Sequence, residues 1–128
     1  MSKPQHRVLI IEDDRFLRRA CEASLQKQGF AVTTAVDGEA GLAAVKRERP
    51  DLVLLDLLMP KLSGVEVLRT VKRDAEIRAI PVVILSNSSR AEDREEVMTL
   101  GAVSYLVKAN LSLRELGAYI TGLLENLS

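Results

Sequence analysis

Hydrophobic residues in this chain follow two rhythms that alternate from one end to the other. Unbroken apolar runs, Val8-Leu9-Ile10-Ile11, Leu52-Val53-Leu54-Leu55 and Val82-Val83-Ile84-Leu85, are separated by stretches with apolar positions at helical spacing. The first strand is expected at about 7–11 and the first helix at about 15–28. That helix carries Phe16, Leu17, Ala20, Cys21, Ser24 and Leu25 on one face and stops at Gly29. A short second strand, 31–35, leads to Asp37. This residue can cap a second helix carrying Ala40, Leu42, Ala44 and Val45 that ends before Pro50. The third strand is expected at 51–56, and the third helix from near Gly64 to about Arg73, using Val65, Leu68 and Val71.

Pro81 opens the fourth strand, where a missing N–H is tolerated. Ser89-Arg90-Ala91-Glu92 reads as a capping box for a fourth helix ending at Gly101. A fifth strand at about 104–107 is followed by a second box, Ser112-Leu113-Arg114-Glu115, which opens a helix to about Leu127. Five β/α units in alternation predict a doubly wound, open parallel sheet of α/β class with helices on both faces. Five units are too few to close an eight-stranded barrel, and right-handed crossovers leave few topologies. The second strand is the least apolar, which suits a sheet edge.

A chain of 128 residues makes one domain able to bury a real core, expected to fill 1–128 with no output domain. Lys plus Arg equals Asp plus Glu at 18 each, so no net field draws the chain to nucleic acid or membrane. Cys21 is the single cysteine, which excludes an internal disulfide or a cysteine zinc site and is expected in the core. No apolar run is long enough to span a bilayer, and the segment before the first strand does not read as a signal peptide. A cytoplasmic protein is expected. Met1 and the polar end Glu125-Asn126-Leu127-Ser128 fit a complete short protein somewhat better than an excised domain.

Chemistry gathers where the apolar runs stop. The first ends in Glu12-Asp13-Asp14, the second in Asp56, the third in Ser86-Asn87, and Tyr105-Leu106-Val107 ends in Lys108. In an open parallel sheet these ends share one edge, where such sheets place their sites. A carboxylate at the exit of a buried strand is costly unless something there uses it. Clustered carboxylates raise one another's pKa unless a cation joins them, and hard oxygens suit Mg²⁺. Asp14 reads as the cap of the first helix and Asp51 as a turn residue. His6 lies near the chain start, where a lone histidine is rarely a ligand, and Arg15, Arg18 and Arg19 read as a solvated helix face.

Four segments, Ile10-Ile11-Glu12-Asp13-Asp14, Asp51 to Pro60, Ile84-Leu85-Ser86-Asn87 and Gly101 to Lys108, resemble in order and spacing the receiver domains of bacterial response regulators. The resemblance covers essentially the whole chain. It implies a flavodoxin-like sheet of order 2-1-3-4-5. It implies that Asp13, Asp56 and the carbonyl of Leu58 bind Mg²⁺, with Mn²⁺ workable and Glu12 acting through a metal-bound water. Asp56 is then the phosphorylated nucleophile. Lys108 and Ser86 neutralise its phosphate, and Tyr105 and Ser86 move with the switch. The implied donor is a histidine kinase or a histidine phosphotransfer protein, with Arg15 and Arg18 near its docking surface. The implied output is altered binding of a protein target by helix four, strand five and helix five. The mixed charge of helices four and five permits a phosphorylation-dependent homodimer.

The chain departs from the family pattern after Lys108 and after Ser86, and two further positions bear on dephosphorylation. The family usually has a cis proline after the lysine. Here Ala109 follows, and because a non-proline cis bond costs about 2.5–4 kcal/mol, trans is expected. Asn87 stands where alanine is common. Leu58 and Ser88 flank the path of attacking water and offer no acid or amide to orient it, so slow to moderate self-dephosphorylation is expected. Two rival functions stand beside the switch. A phosphorylation-independent pseudo-receiver would draw on Ala109 and Asn87. A phosphohydrolase with an aspartate nucleophile wants an acid two residues on, where Leu58 stands.

Overall fold

The computed structural model describes residues 5–127. Readings that rest on Met1 to Pro4 or on Ser128 lie outside the described residues. Five parallel strands, β1 (Arg7–Ile11), β2 (Ala31–Ala35), β3 (Leu52–Asp56), β4 (Val82–Ser86) and β5 (Ser104–Val107), form one sheet in the order β2-β1-β3-β4-β5. Helices α1 (Arg15–Lys27), α2 (Gly38–Glu48), α3 (Gly64–Arg73), α4 (Ala91–Leu100) and α5 (Leu113–Leu127) make the connections. The order reverses between β1 and β3, so the crevice at the strands' carboxyl ends opens beside Ile11 and Asp56. The weakly apolar β2 is an edge strand, as its sequence implies. Among the described residues, no helix is long and apolar enough to cross a membrane.

The apolar runs are unbroken because both faces of the sheet are covered. Leu9, Ile11, Val53, Leu55 and Ile84 face α2, α3 and α4 and pack with Val45, Val67, Leu68, Val71 and Val97. Val8, Ile10, Leu52, Leu54 and Val83 face the other way, onto Cys21 and Leu25 of α1 and Leu116, Ile120 and Leu124 of α5. Cys21 is core, as expected, and burial pushes its thiol up to about 11, with Glu12 adding and Lys108 opposing. Phe16 does not join the buried face of α1. It is 87% exposed, because only Cys21 and Leu25 of that helix reach full burial. Ala40 is likewise on the outer side of α2.

Helix starts follow side-chain chemistry. Asp14 Oδ1 accepts from the N–H groups of Phe16 and Leu17, and Asp37 Oδ1 accepts from Ala40. Ser112 Oγ accepts from the Glu115 N–H, as its capping pattern implies. The box read at Ser89 is a correction. Helix α4 starts at Ala91 with Arg90 at the cap position and no side-chain cap bond. Ser86 Oγ takes the Ser88 N–H at 3.0 Å, and Ser88 Oγ takes the Arg90 N–H at 3.1 Å. These two tight turns consume the residues after β4, so the helix begins later and Ser89 falls outside its first turn.

Gly64 joins the fold to its upper edge. A Cβ there would lie 2.2 Å from the carbonyl oxygen of Asp56 and 2.6 Å from Leu57 Cα, both backbone atoms. A Cβ at Gly122, inside α5, meets nothing within 4 Å. Gly64→Ala is expected to destabilise by about 3 kcal/mol in urea unfolding, since backbone cannot step aside. Gly122→Ala is expected to stabilise by about 0.5–1 kcal/mol through helix propensity. Equal and small effects at the two positions would contradict this assignment of the Gly64 contact.

Candidate functional site at the carboxyl edge of the sheet

Among the described residues, the buried polar side chains are Glu12, Asp37, Asp56 and Ser86, and three of these stand where strands end. Glu12 follows β1, and its N–H extends the sheet by donating to the Ala35 carbonyl at 3.1 Å. Asp56 closes β3, Ser86 closes β4, and Lys108 follows β5 in a 3₁₀ turn, Lys108–Asn110. Parallel register brings these ends level, and helices on both faces seal them from water.

Lys108 is the hub. Its Nζ lies 2.8 Å from Glu12 Oε1 and 3.0 Å from Asp56 Oδ1. The contact with Glu12 Oε1 is an ion pair without hydrogen-bond direction, so that buried oxygen has no directed donor. The other oxygen, Oε2, accepts from the Asp14 N–H at 3.0 Å. Asp13 is exposed beside them, and oxygen atoms of Glu12, Asp13 and Asp56 lie within 4.8 Å of one another. Three carboxylates against one amine leave net negative charge in a partly dry site. An all-oxygen set with an under-satisfied buried oxygen fits a small hard cation.

The electrostatics express the same imbalance. Burial pushes the Asp56 carboxyl up to about 7. The hydrogen bond from Lys108 opposes this, and the charge of Glu12 adds to it. Burial alone would lower the Lys108 amine, but its close contacts with the Glu12 and Asp56 carboxylates outweigh burial and raise it.

Ser86 is 4% exposed, and its Oγ accepts from the Ser88 N–H while its own hydrogen stays free to donate. Tyr105 is buried, and its hydroxyl donates to the Ser88 carbonyl at 2.7 Å. The Ser88 hydroxyl is itself bonded to Asp93 of α4. Leu58, two residues past Asp56, turns its side chain outward at 77% exposure. No cis peptide occurs among the described residues, so Lys108–Ala109 is trans, as expected for a non-proline. Asp51 and His6 lie at the opposite end of the sheet. Asp51 Oδ2 accepts from the Arg7 N–H at 2.7 Å, the turn role read from sequence.

The charge pattern of helix α1 predicts a solvated face for Arg18. Its Nη1 instead donates to the carbonyls of Glu12, at 3.0 Å, and Asp13, at 3.3 Å. The available signal was helix geometry. Side chains tilt toward a helix's N-terminus, so an arginine one turn after the Asp14 cap reaches back over the loop before it.

The raised Asp56 pKa makes stability depend on pH. Below the unfolded value near 3.9, Asp56 is protonated in both states and costs nothing. As pH rises from there toward 7, the unfolded chain ionises Asp56 while the native carboxyl keeps its proton, so stability falls. In metal-free protein with EDTA, Asp56→Asn is expected to stabilise by about 2 kcal/mol at pH 7.5, with the gain vanishing near pH 4. Urea midpoints at several pH values measure this, and a pH-independent gain would contradict it.

Comparison with known proteins agrees with the geometry. The family model described as "Response regulator receiver domain" matches residues 8–121. The chain is 41% identical over 125 residues to "Transcriptional activator protein PfeR" of Pseudomonas aeruginosa, covering 98% of this chain and 40% of that protein. It is 38% identical over 121 residues to "Probable transcriptional regulator ycf27" of Porphyridium aerugineum, covering 94% of this chain and 49% of that protein. The chain thus spans less than half the length of these curated relatives. The receiver domain of Francisella response regulator 1452 superposes with a TM-score of 0.89 at 26% identity, covering 97% of this chain and 100% of that one. Chemotaxis protein CheY4 of Vibrio cholerae superposes with a TM-score of 0.86 at 27% identity, covering 93% of this chain and 98% of that one. A five-stranded 2-1-3-4-5 sheet with three carboxylates and a lysine at its carboxyl edge, matched over nearly its whole length, makes this chain a member of the response regulator receiver domain family of two-component signalling.

Proposed function

We propose that this domain is a phosphorylation-controlled switch in which Asp56 accepts a phosphoryl group from a phosphohistidine. The donor is a histidine kinase or a histidine phosphotransfer protein, in the cytoplasm. The observation that carries the reading is the buried Asp56 carboxylate, 3.0 Å from Lys108 Nζ and clustered with Glu12 and Asp13.

A carboxylate oxygen of Asp56 attacks phosphorus. The donor's P–N bond breaks, and its electron pair leaves on the imidazole nitrogen. Asp13 and Asp56, with the carbonyl of Leu58, are the residues that would hold Mg²⁺, or Mn²⁺ in its place, and Glu12 would act through a bound water. When bound, the ion supplies positive charge against the phosphoryl oxygens. Lys108 supplies a second positive charge, and the free hydrogen of Ser86 Oγ supplies a donor once the hydroxyl turns inward.

That turn links chemistry to output. Ser86 Oγ is tied to Ser88, and the Ser88 carbonyl is tied to the Tyr105 hydroxyl, so movement of Ser86 disturbs the loop that seats Tyr105. The α4–β5–α5 face then changes its affinity for a protein target by shifting an existing equilibrium. The curated relatives are transcriptional regulators in which this domain is less than half the chain, so a DNA-binding partner segment is consistent with the reading. The domain itself has no net charge to draw it to DNA. Slow to moderate self-dephosphorylation also fits. Leu58 offers attacking water no polar group, and the Ser88 hydroxyl is committed to Asp93.

Acetyl phosphate or phosphoramidate with Mg²⁺ is expected to add one phosphoryl group, read by intact mass. The adduct is absent in Asp56→Asn and without Mg²⁺, and Lys108→Met forms it about 10-fold or more slowly. No adduct on folded wild type under donor and metal excess would favour a phosphorylation-independent interaction module. In a second measurement, a phosphoryl half-life of only seconds would overturn the slow-hydrolysis expectation.

A further inference from the structure

We propose that Arg18 is a positioning residue that sets the direction of the Asp13 carboxylate by gripping the peptide planes on either side of it. The inference rests on the reading of Asp13 as a metal-holding residue and goes beyond it.

Asp13 is exposed in the short connection between β1 and α1, where a side chain on a free loop would sample many directions. The direction of its Cα–Cβ bond is fixed by two peptide planes. The plane bearing the Glu12 carbonyl sets φ of Asp13, and the plane bearing the Asp13 carbonyl sets ψ. Arg18 Nη1 donates to both carbonyls, at 3.0 and 3.3 Å. Each end of this clamp is anchored. The Glu12 N–H is held by the Ala35 carbonyl of β2 at 3.1 Å. The Arg18 N–H is held by the Asp14 carbonyl at 2.9 Å, and Asp14 caps the helix through Phe16 and Leu17. One side chain on α1 thus closes the loop that presents Glu12 and Asp13.

Charge alone predicts the opposite effect from the clamp. Removing a cation bonded to the backbone of the acidic loop makes the surroundings of the site more negative and would tighten a divalent ion. Removing a clamp that orients a ligand loosens it, as loss of groups that hold metal ligands typically does by about 10–100-fold. Arg18→Met keeps a long stem and good helix propensity while deleting charge and donors. Arg18→Lys keeps the charge and loses the planar fork.

The test is Mg²⁺ titration of folded wild type, Arg18→Met and Arg18→Lys, followed by amide chemical shifts, with amide exchange of Asp14 measured in metal-free protein. Arg18→Met is expected to bind Mg²⁺ about 10-fold more weakly, with Arg18→Lys between it and wild type. The Asp14 amide, which donates to Glu12 Oε2, is expected to exchange about 10-fold faster in Arg18→Met. Unchanged or tighter Mg²⁺ binding by Arg18→Met overturns the proposal and leaves Arg18 a solvated charge. If wild type itself binds no Mg²⁺, the metal reading of the site fails. The clamp is then decided by Asp14 exchange alone, and an unchanged rate overturns it.

Discussion

The carboxyl edge of this sheet depends on one ion triad, Glu12–Lys108–Asp56. Two carboxylates there are almost completely shielded from water, and each meets the same amine at 3.0 Å or less. Buried charges of one sign survive only when a partner offsets the lost hydration. The offset is incomplete, because a single ammonium faces three acids. That deficit leaves Asp56 reluctant to ionise and leaves one Glu12 oxygen without a directed donor. On the proposed reading, that deficit is what a bound cation offsets.

The rest of the fold serves to hold those groups level. Parallel pairing of β1, β3, β4 and β5 ends the strands together, and the covered faces exclude water from below. Gly64 lets α3 begin against the backbone of Asp56 without a Cβ between them. Arg18 and Asp14 fasten the acidic loop from the α1 side. These contacts come from different elements, so the edge is determined by the packing of the whole domain.

The β4–α4 loop ties the site to its neighbouring elements. Ser86, Ser88, Asp93 and Tyr105 form a continuous hydrogen-bonded path from the site to α4 and β5. Ser88 uses its N–H, hydroxyl and carbonyl in that path. Ser88 is thereby bonded to Ser86, Arg90, Asp93 and Tyr105 at once. On the proposed reading, phosphorylation draws Ser86 away from Ser88. The trans bond after Lys108 and the 3₁₀ turn that follows place the lysine on its partners without a proline.

The sequence by itself determined the alternation of strands and helices, the open parallel sheet and the residues at its edge. Apolar runs covered on both faces are unbroken, and that signal is local and strong in β1, β3 and β4. Glu12, Asp13, Asp56, Ser86 and Lys108 were legible because a polar residue ending such a run stands out. Arg18 and Ser88 were not, because their roles run through backbone atoms, and a backbone carbonyl leaves no mark in a sequence. The Ser89 capping box failed for the same reason: hydrogen bonds within the preceding loop decided where α4 starts. Phe16 kept the helical period of α1 but not its burial, since which apolar side chains of a helix are covered depends on where α5 and the sheet lie. Only the tertiary structure decided that Lys108 bridges Glu12 and Asp56, because residues separated by 44 positions or more meet only when parallel strands are stacked in register.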